Sequence, residues 1–215
     1  NKDELTNSIG YRHNSVVIPN GVNRHKKREV SFEDYSKLRK MISFIGRYDI
    51  HHKGLDHLIG YIDKCNLHQE FNFMFYGSDM IGDKEKLSNM KDSISSDWKI
   101  SVNGPVYGNK KRKAFEESGY FIHTSRYEGL PIAILEALAF GVPCIVSQGT
   151  NMAAIVEKYH CGFVVNNQKE FDDAMERIAR IDFGSYDRMS NNCLDCVEKE
   201  YSWEVVASKY RRLLS

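Results

Sequence analysis

The sequence predicts an α/β domain with a doubly wound, Rossmann-like parallel sheet, and three observations carry this prediction. Short runs rich in β-branched and aromatic residues recur along the chain, and amphipathic segments of helical period separate them. The length of 215 residues suits one generous domain better than two. Alternating strands and helices are typical of parallel strands joined by right-handed crossovers, with helices on both sheet faces.

Seven runs predict the strands, and they lie at 15–19, 41–46, 71–77, 98–104, 120–125, 142–147 and 161–165. Two helices between them are indicated by apolar residues on one face, namely Leu55, Leu58, Ile59 and Ile62 in the first and Ile132, Leu135, Leu138 and Ala139 in the second. From Phe171 onward the patterns are helical only, and Trp203, Val206, Tyr210 and Leu213 share the last face. We therefore divide the chain into a polar entry segment at 1–14, a Rossmann-like domain at 15–182 and a C-terminal helical tail at 183–215.

The bulk composition limits the partners and the compartment. With 30 basic and 29 acidic residues, the chain has almost no net charge and no strongly positive or negative electrostatic field, so we expect no nucleic-acid partner. Its longest apolar runs are of strand length, and its start has no export pattern. Five cysteines at irregular spacing do not make a disulfide framework. We expect a soluble protein in a reducing cytoplasm.

The turn after the 41–46 run places two cations beside one crevice. Gly46 and Arg47 lie at the strand end, and Lys53 precedes Gly54, which opens the next helix. In parallel sheets ligands bind at the carboxyl ends of the strands. A planar guanidinium, an ammonium group and helix N-terminal amides together suit a diphosphate. The alternative is a pair of solvated surface cations.

The segment SRYEGLPIAILE (125–136) follows the strand at 120–125 and runs into a helix. Because Pro131 lies near the first turn, the amides of Gly129 and Leu130 are free to face an anion. Glu128 lies in the loop and Glu136 within the helix, and ionised carboxylates suit sugar hydroxyls, which must donate. The alternative is a carboxylate that offsets the helix dipole and a salt-bridged helical glutamate.

These segments resemble the retaining group 1 glycosyltransferases of GT-B fold. The resemblance rests on IPNGV (18–22), FIGRYDIHHKGLDHLI (44–59), SRYEGLPIAILEALAFGVPCIVS (125–147) and the CGFVV run at 161–165, in order and spacing. It covers roughly residues 14–178, and the motif of two glutamates separated by seven residues is highly specific. It implies that this chain is one half of a GT-B fold, the C-terminal, donor-binding domain.

The resemblance also implies roles for individual residues. Arg47 and Lys53 would hold the diphosphate of a nucleotide sugar, Glu136 the ribose hydroxyls and Glu128 the transferred sugar, while Val106 and Tyr107 would border the nucleobase. Arg47, Lys53 and Glu128 are thus the candidate catalytic residues, and the full candidate binding set is Gly46, Arg47, Lys53, Val106, Tyr107, Glu128, Gly129, Leu130 and Glu136. One departure is Ala154, where many relatives carry a glutamate.

The implied function is metal-independent, retaining transfer of a hexose-type sugar to a glycan or lipid-linked acceptor, as in the synthesis of surface polysaccharides. The acceptor-binding N-terminal domain is the expected partner, so this chain alone should be inactive, and any peripheral membrane association should involve only that missing half. We expect no cofactor and no metal, and a UDP-sugar is our guess for the donor.

Other functions fit the sequence less well. There is no G-x-G-x-x-G and no G-x-x-x-x-G-K-[ST], so a dehydrogenase or a P-loop enzyme is disfavoured, and Asp-x-Asp is absent. His51, His52 and His57 lack a metal-ligand set, so we interpret them as solvated. Cys193 and Cys196 are expected to pack within a helix, and the basic run KKRK (110–113) to open a surface helix. A glycosidase is disfavoured because the carboxylates accompany cations, whereas a noncatalytic nucleotide-binding or protein-interaction module remains the alternative.

Overall fold

A computed structural model of the protein describes residues 17–67, 70–94 and 98–214. Six parallel strands form one sheet: Met41–Ile45 (β1), Asn72–Tyr76 (β2), Lys99–Asn103 (β3), Tyr120–His123 (β4), Cys144–Val146 (β5) and Gly162–Val164 (β6). The helices are Phe32–Leu38 (α1), Ile50–Lys53 (α2), Leu55–Lys64 (α3), Asp83–Asp92 (α4), Gly108–Glu116 (α5), Ile132–Ala139 (α6), Ala153–Tyr159 (α7), Gln168–Arg180 (α8), Phe183–Cys196 (α9) and Trp203–Leu214 (α10). A 3₁₀ turn at Gln148–Thr150 and a π-helical turn at Val197–Tyr201 complete them. The predicted Rossmann-like fold is confirmed.

The strand order is β3-β2-β1-β4-β5-β6. Strands β2 and β3 extend the sheet from β1 to one edge. Strand β4 then pairs with the other side of β1, where Ile42 faces Tyr120. In such a sheet the crossovers on the two sides of the β1–β4 pair run to opposite faces, which opens a crevice at the carboxyl ends of these two strands. The topology therefore places a binding site after Ile45 and after His123.

Each sheet face buries its own apolar cluster because side chains alternate along a strand. On β4, Tyr120 and Ile122 join one cluster and Phe121 joins the other. The predicted face of α3 is confirmed, since its four apolar residues are all buried. On α6, Leu135, Leu138 and Ala139 are buried, but Ile132 is 40% exposed because it begins the helix at the edge of the crevice.

The strand predicted at 15–19 is wrong over 17–19, which belong to no ladder, while 15–16 and the entry segment 1–14 lie outside the described residues. The chain instead meets the C-terminal helices at this point. Val22 makes an isolated parallel bridge with Ser202, and a Cβ on Gly21 would lie 2.6 Å from the Trp203 ring. This segment therefore packs against the tail rather than extending the sheet.

The chain is helical from α8 to the end of α10, as the patterns from Phe171 onward predict. On the last helix, however, only Val206 of the predicted apolar face is buried, while Trp203, Tyr210 and Leu213 are each about half exposed. All five cysteines are buried free thiols, which confirms that Cys193 and Cys196 pack within a helix. No helix in the described ranges is long and apolar enough to cross a membrane.

Candidate functional site

A cleft of about 340 Å³ opens at the carboxyl ends of β1 and β2, beside the start of α6. Five of the predicted site residues line it: Gly46, Arg47, Val106, Tyr107 and Glu136. The others are Lys53, the last residue of α2, and Glu128, Gly129 and Leu130, which lie in the loop after β4. The structure thus brings the two sequence motifs to the same edge of the sheet, in two neighbouring groups.

The ends of β1 and β2 approach closely at Gly46, because the facing residue is Gly77. The amide of Gly46 donates to Tyr76 O at 3.0 Å, and a Cβ on Gly77 would lie only 2.4 Å from Gly46 O. The next residue, Arg47, is exposed, and its side chain makes no hydrogen bond or ion pair within the described ranges. The cleft therefore holds a free, permanently charged guanidinium.

Lys53 ends the four-residue helix α2, which closes on Gly54 in the left-handed conformation (φ 61°). A Cβ on Gly54 would lie 2.2 Å from Thr124 O, so only glycine allows α2 to contact the end of β4. This contact carries Lys53, which is 8% exposed, to the loop after β4, where its Nζ lies 2.5 Å from Glu128 Oε1.

Glu128 accepts two further hydrogen bonds at the same oxygen, from Ser125 Oγ at 2.8 Å and His123 Nε2 at 3.2 Å. Burial of the carboxyl acts to raise its pKa, but the hydrogen bonds from His123, Lys53 and Ser125 outweigh this and hold the pKa of Glu128 well below its usual range. The loop therefore carries an ionised carboxylate at neutral pH.

The backbone around Glu128 is held from three sides. Arg126 makes a bidentate ion pair with Asp56 of α3, at 2.8 and 2.7 Å. The His52 ring stacks on the Tyr127 ring, with centroids 4.5 Å apart, and its Nε2 lies 2.8 Å from Tyr127 O. Asn151 donates to Glu128 O. The loop is thus rigidly positioned, as a binding or catalytic group requires.

The start of α6 leaves amides unpaired, as predicted from Pro131. Pro131 is the N-cap and offers no side-chain cap, and the amides of Gly129 and Leu130 donate to no acceptor in the part of the chain that the structure describes. The space around the Gly129 Cα is open. These amides are available to an anion.

Glu136 lies on the side of α6 that faces the cleft, and its side chain is 30% exposed. Lys111 of α5 contacts both of its carboxylate oxygens, at 2.6 and 2.5 Å. The sequence interpretation placed the basic run at 110–113 on a surface helix and missed this ion pair. Lys111 lies in the first turn of α5, just after the 103–107 loop, and that proximity was the one signal that could have revealed it.

The loop at 103–107 is anchored by a tyrosine that the sequence analysis did not identify. Tyr48 is buried, and its hydroxyl lies 2.9 Å from Phe75 O and 2.6 Å from Asn103 O, where β2 and β3 end, so that its one proton is shared between the two carbonyls. Val106 is half-buried above this anchor and Tyr107 is 71% exposed at the rim of the cleft. Tyr107 thereby presents an aromatic ring to a ligand in the cleft.

The three histidines of the Arg47 turn and the helix after it differ in exposure. His51 and His57 are exposed, as expected, but the solvated interpretation is wrong for His52, which is half-buried through its contact with Tyr127. Within the described ranges, no three His, Cys, Asp or Glu side chains are arranged to hold a metal ion. Ala154, the departure noted above, is exposed in the first turn of α7.

Comparison with known proteins identifies a family. The model of the glycosyl transferases group 1 matches residues 26–193. An uncharacterized glycosyltransferase of Methanocaldococcus jannaschii is 27% identical over 206 residues, which cover 90% of this chain and 52% of that protein. The UDP-Gal:alpha-D-GlcNAc-diphosphoundecaprenol alpha-1,3-galactosyltransferase of Escherichia coli is 30% identical over 118 residues, or 53% of this chain and 30% of the relative. The chain thus spans about half the length of such relatives, or less.

Solved structures share the fold. A S. aureus TarM variant in complex with fondaparinux, alpha-GlcNAc-glycerol and UDP superposes with a TM-score of 0.81 at 19% identity, over 99% of this chain and 41% of that one. Sucrose-phosphate synthase of Thermosynechococcus elongatus gives a TM-score of 0.78 at 16% identity, over 99% of this chain and 55% of that one.

Proposed function

The chain belongs to the glycosyl transferases of group 1, and we propose that it is the donor-binding half of an enzyme that transfers a sugar from a nucleoside diphosphate. The observation that carries the proposal is the pairing of cations and carboxylates at the β1–β4 switch point. Arg47 and Lys53 supply positive charge there, and Glu128 and Glu136 supply acceptors for hydroxyl groups.

Each group suits one part of a nucleotide sugar. Arg47 and the amides of Gly129 and Leu130 bind the diphosphate, and Lys53 assists, because an ammonium bonded once to Glu128 keeps two further N–H donors. Glu136 accepts from the ribose hydroxyls. Val106 and Tyr107 contact the base, for which we propose uracil, since the galactosyltransferase relative is named for a UDP-sugar.

In the reaction, the bond between the anomeric carbon and the phosphate oxygen breaks, and the acceptor hydroxyl oxygen bonds to the anomeric carbon. Negative charge develops on the leaving diphosphate, which takes up the proton of that hydroxyl. Arg47, Lys53 and the α6 amides are placed to stabilise that charge without a metal ion. Glu128 orients the sugar through its hydroxyls. We propose retention of the anomeric configuration and a glycan or lipid-linked acceptor, bound by the half of the enzyme that this chain lacks, in a cytoplasmic step of polysaccharide synthesis.

Two experiments test this function. Calorimetric titration of the chain with a panel of nucleotides should show binding of a nucleoside diphosphate that is much tighter than binding of the matching nucleoside. Full-length enzyme should transfer sugar without added divalent metal, and the chain alone should transfer none. Activity abolished by EDTA and restored by magnesium would refute the metal-free mechanism.

The alternative is a noncatalytic nucleotide-binding or protein-interaction module. Binding of a nucleoside diphosphate without any sugar transfer by the full-length protein would favour the nucleotide-binding module. Absence of any nucleotide binding would favour the protein-interaction module.

A further inference from the structure

His123 lies beneath the Glu128 carboxylate, and the proposed function gives it no role. It is the last residue of β4 and is 2% exposed. Its ring is stacked near Phe44, with centroids 5.4 Å apart, and near Phe121 at 6.0 Å. Because the neighbouring rings fix its orientation, Nε2 is held 3.2 Å from Glu128 Oε1.

The surroundings of the ring determine which nitrogen carries the proton. An ionised carboxylate only accepts, so Nε2 must be the N–H donor. Nδ1 is buried and has no hydrogen-bond partner in the described part of the chain. A second proton there would leave a buried N–H unpaired and would place an imidazolium beside the Lys53 ammonium. His123 is therefore the neutral Nε2–H tautomer.

The groups that face His123 are few. Glu128 and Ser125 come from the loop after β4, Lys53 and His52 come from α2, and Phe44 comes from β1. Burial lowers the pKa of His123, and the charge of Lys53 acts in the same direction, against the hydrogen bond to Glu128. The neutral form is thus maintained at physiological pH.

The donors to Glu128 converge on one oxygen. Lys53, Ser125 and His123 all contact Oε1, whereas Oε2 accepts no hydrogen bond within the described residues. Rotation of the carboxylate would break three hydrogen bonds at once. One oxygen is therefore fixed and the other is left for a ligand.

We propose that His123 is a positioning residue: as a neutral donor it holds Oε1 of Glu128, so that Oε2 alone accepts a hydroxyl of the transferred sugar. That Oε2 accepts a sugar hydroxyl rests on the proposed function. That His123 holds Oε1 does not.

Two substitutions in the full-length enzyme separate positioning from packing. In His123→Gln the side-chain amide can place an N–H donor where Nε2 lies, while His123→Leu keeps the bulk but has no donor. We expect His123→Leu to lower kcat about 10- to 150-fold, the range for a lost hydrogen bond to a charged group. His123→Gln should stay within about 3-fold of wild type, and affinity for free nucleoside diphosphate should be unchanged in both. The exposed His51→Gln is the matched control.

Equal losses in the Leu and Gln variants would show that His123 only packs, and full turnover of His123→Leu would overturn the proposal. A second readout needs no sugar. In nitrogen-15 NMR spectra, wild-type His123 should be the Nε2–H tautomer from pH 6 to 8. In carbon-13 spectra, the Glu128 carboxyl should titrate at higher pH in His123→Leu than in wild type or His123→Gln.

An Nδ1–H tautomer, or the same Glu128 titration in all three proteins, would refute the restraint. If wild-type enzyme transfers no sugar but these spectra are as expected, the proposed function fails while the restraint on Glu128 stands.

Discussion

Glu128 and Glu136 belong to one sequence motif, yet their surroundings differ. The Glu128 side chain is 11% exposed and accepts from Lys53, Ser125 and His123 at one oxygen. The Glu136 side chain is 30% exposed and is paired with Lys111 alone. A buried carboxylate with several donors has a fixed geometry, whereas a half-exposed one can exchange its partner for a ligand. If the proposed function holds, we expect loss of Glu128 to slow the chemical step and loss of Glu136 to weaken nucleotide affinity.

The largest effect is expected from Glu128→Gln. This change keeps the shape of the side chain but removes the charge next to the reacting sugar, so kcat should fall about 10²- to 10³-fold, the scale for one preorganised group in an active site. Affinity for free nucleoside diphosphate should change less than about twofold, because that ligand has no sugar to contact. Steady-state rates and calorimetry measure the two quantities, and unaltered turnover would remove the sugar assignment.

Arg47 and Lys53 should contribute alike to ligand binding but differ in their contribution to stability. Lys53→Met and Arg47→Met should each weaken nucleoside diphosphate binding about 10- to 150-fold, while nucleoside affinity stays constant. Only Lys53→Met should also lower the free energy of unfolding, by about 3 kcal/mol, because it takes the cation from a buried ion pair. Urea denaturation and calorimetry on both variants test this. Equal stabilities would contradict the difference in burial.

Acid should destabilise the protein partly through Glu128. The pKa of this carboxyl is depressed in the folded state, so its contribution is fully present above the unfolded pKa of about 4.3 and is lost as pH falls below it. Between pH 6 and pH 3.5, wild type should lose more unfolding free energy than Glu128→Gln. The difference should be about 1 kcal/mol, because pH 3.5 lies less than one unit below the unfolded pKa, where one full pKa unit would correspond to about 1.4 kcal/mol. If urea denaturation shows equal losses of unfolding free energy in the two proteins, the pKa of Glu128 is not depressed by folding.

Glu136→Gln should weaken nucleotide affinity about 10-fold, at the low end for a hydrogen bond to a charged group. The effect is moderate because Lys111 must already release or share this carboxylate when a ribose binds. Turnover at saturating donor should change little. A fall in kcat without a change in calorimetric affinity would reverse the roles of the two glutamates.

Lys111→Ala should have the smallest effect. The Lys111–Glu136 ion pair is partly exposed, with side chains 28% and 30% accessible, so solvent weakens it and the unfolding free energy should change by about 1 kcal/mol or less. The exposed Lys110→Ala is the matched control. A much larger loss of unfolding free energy would show that the Lys111–Glu136 ion pair contributes as much to stability as the Lys53–Glu128 pair.

The sequence was informative where neighbours along the chain determine the structure. Alternating strand and helix patterns predict the parallel sheet, and strand-end motifs identify the Arg47 turn and the glutamate loop. Tyr48 and Lys111 could not be assigned in this way, because their partners come from other strands or crossovers. The orientation of His123 could not be assigned either, because its ring packs against Phe44 of β1. The strand predicted over 17–19 failed for the same reason, since contact with the tail near Trp203 replaces sheet pairing there.

The pairing of β1 with β4 also bears on the order in which the domain folds. Strands β1, β2 and β3 follow one another closely in sequence, whereas Tyr120 reaches Ile42 only after the three intervening connections are made. Contacts between residues far apart in sequence form late, because a long loop must close before they contribute any stability. Lys53 and Glu128 lie on opposite sides of this seam. Ligand competence should therefore follow the assembly of β1, β2 and β3 rather than accompany it.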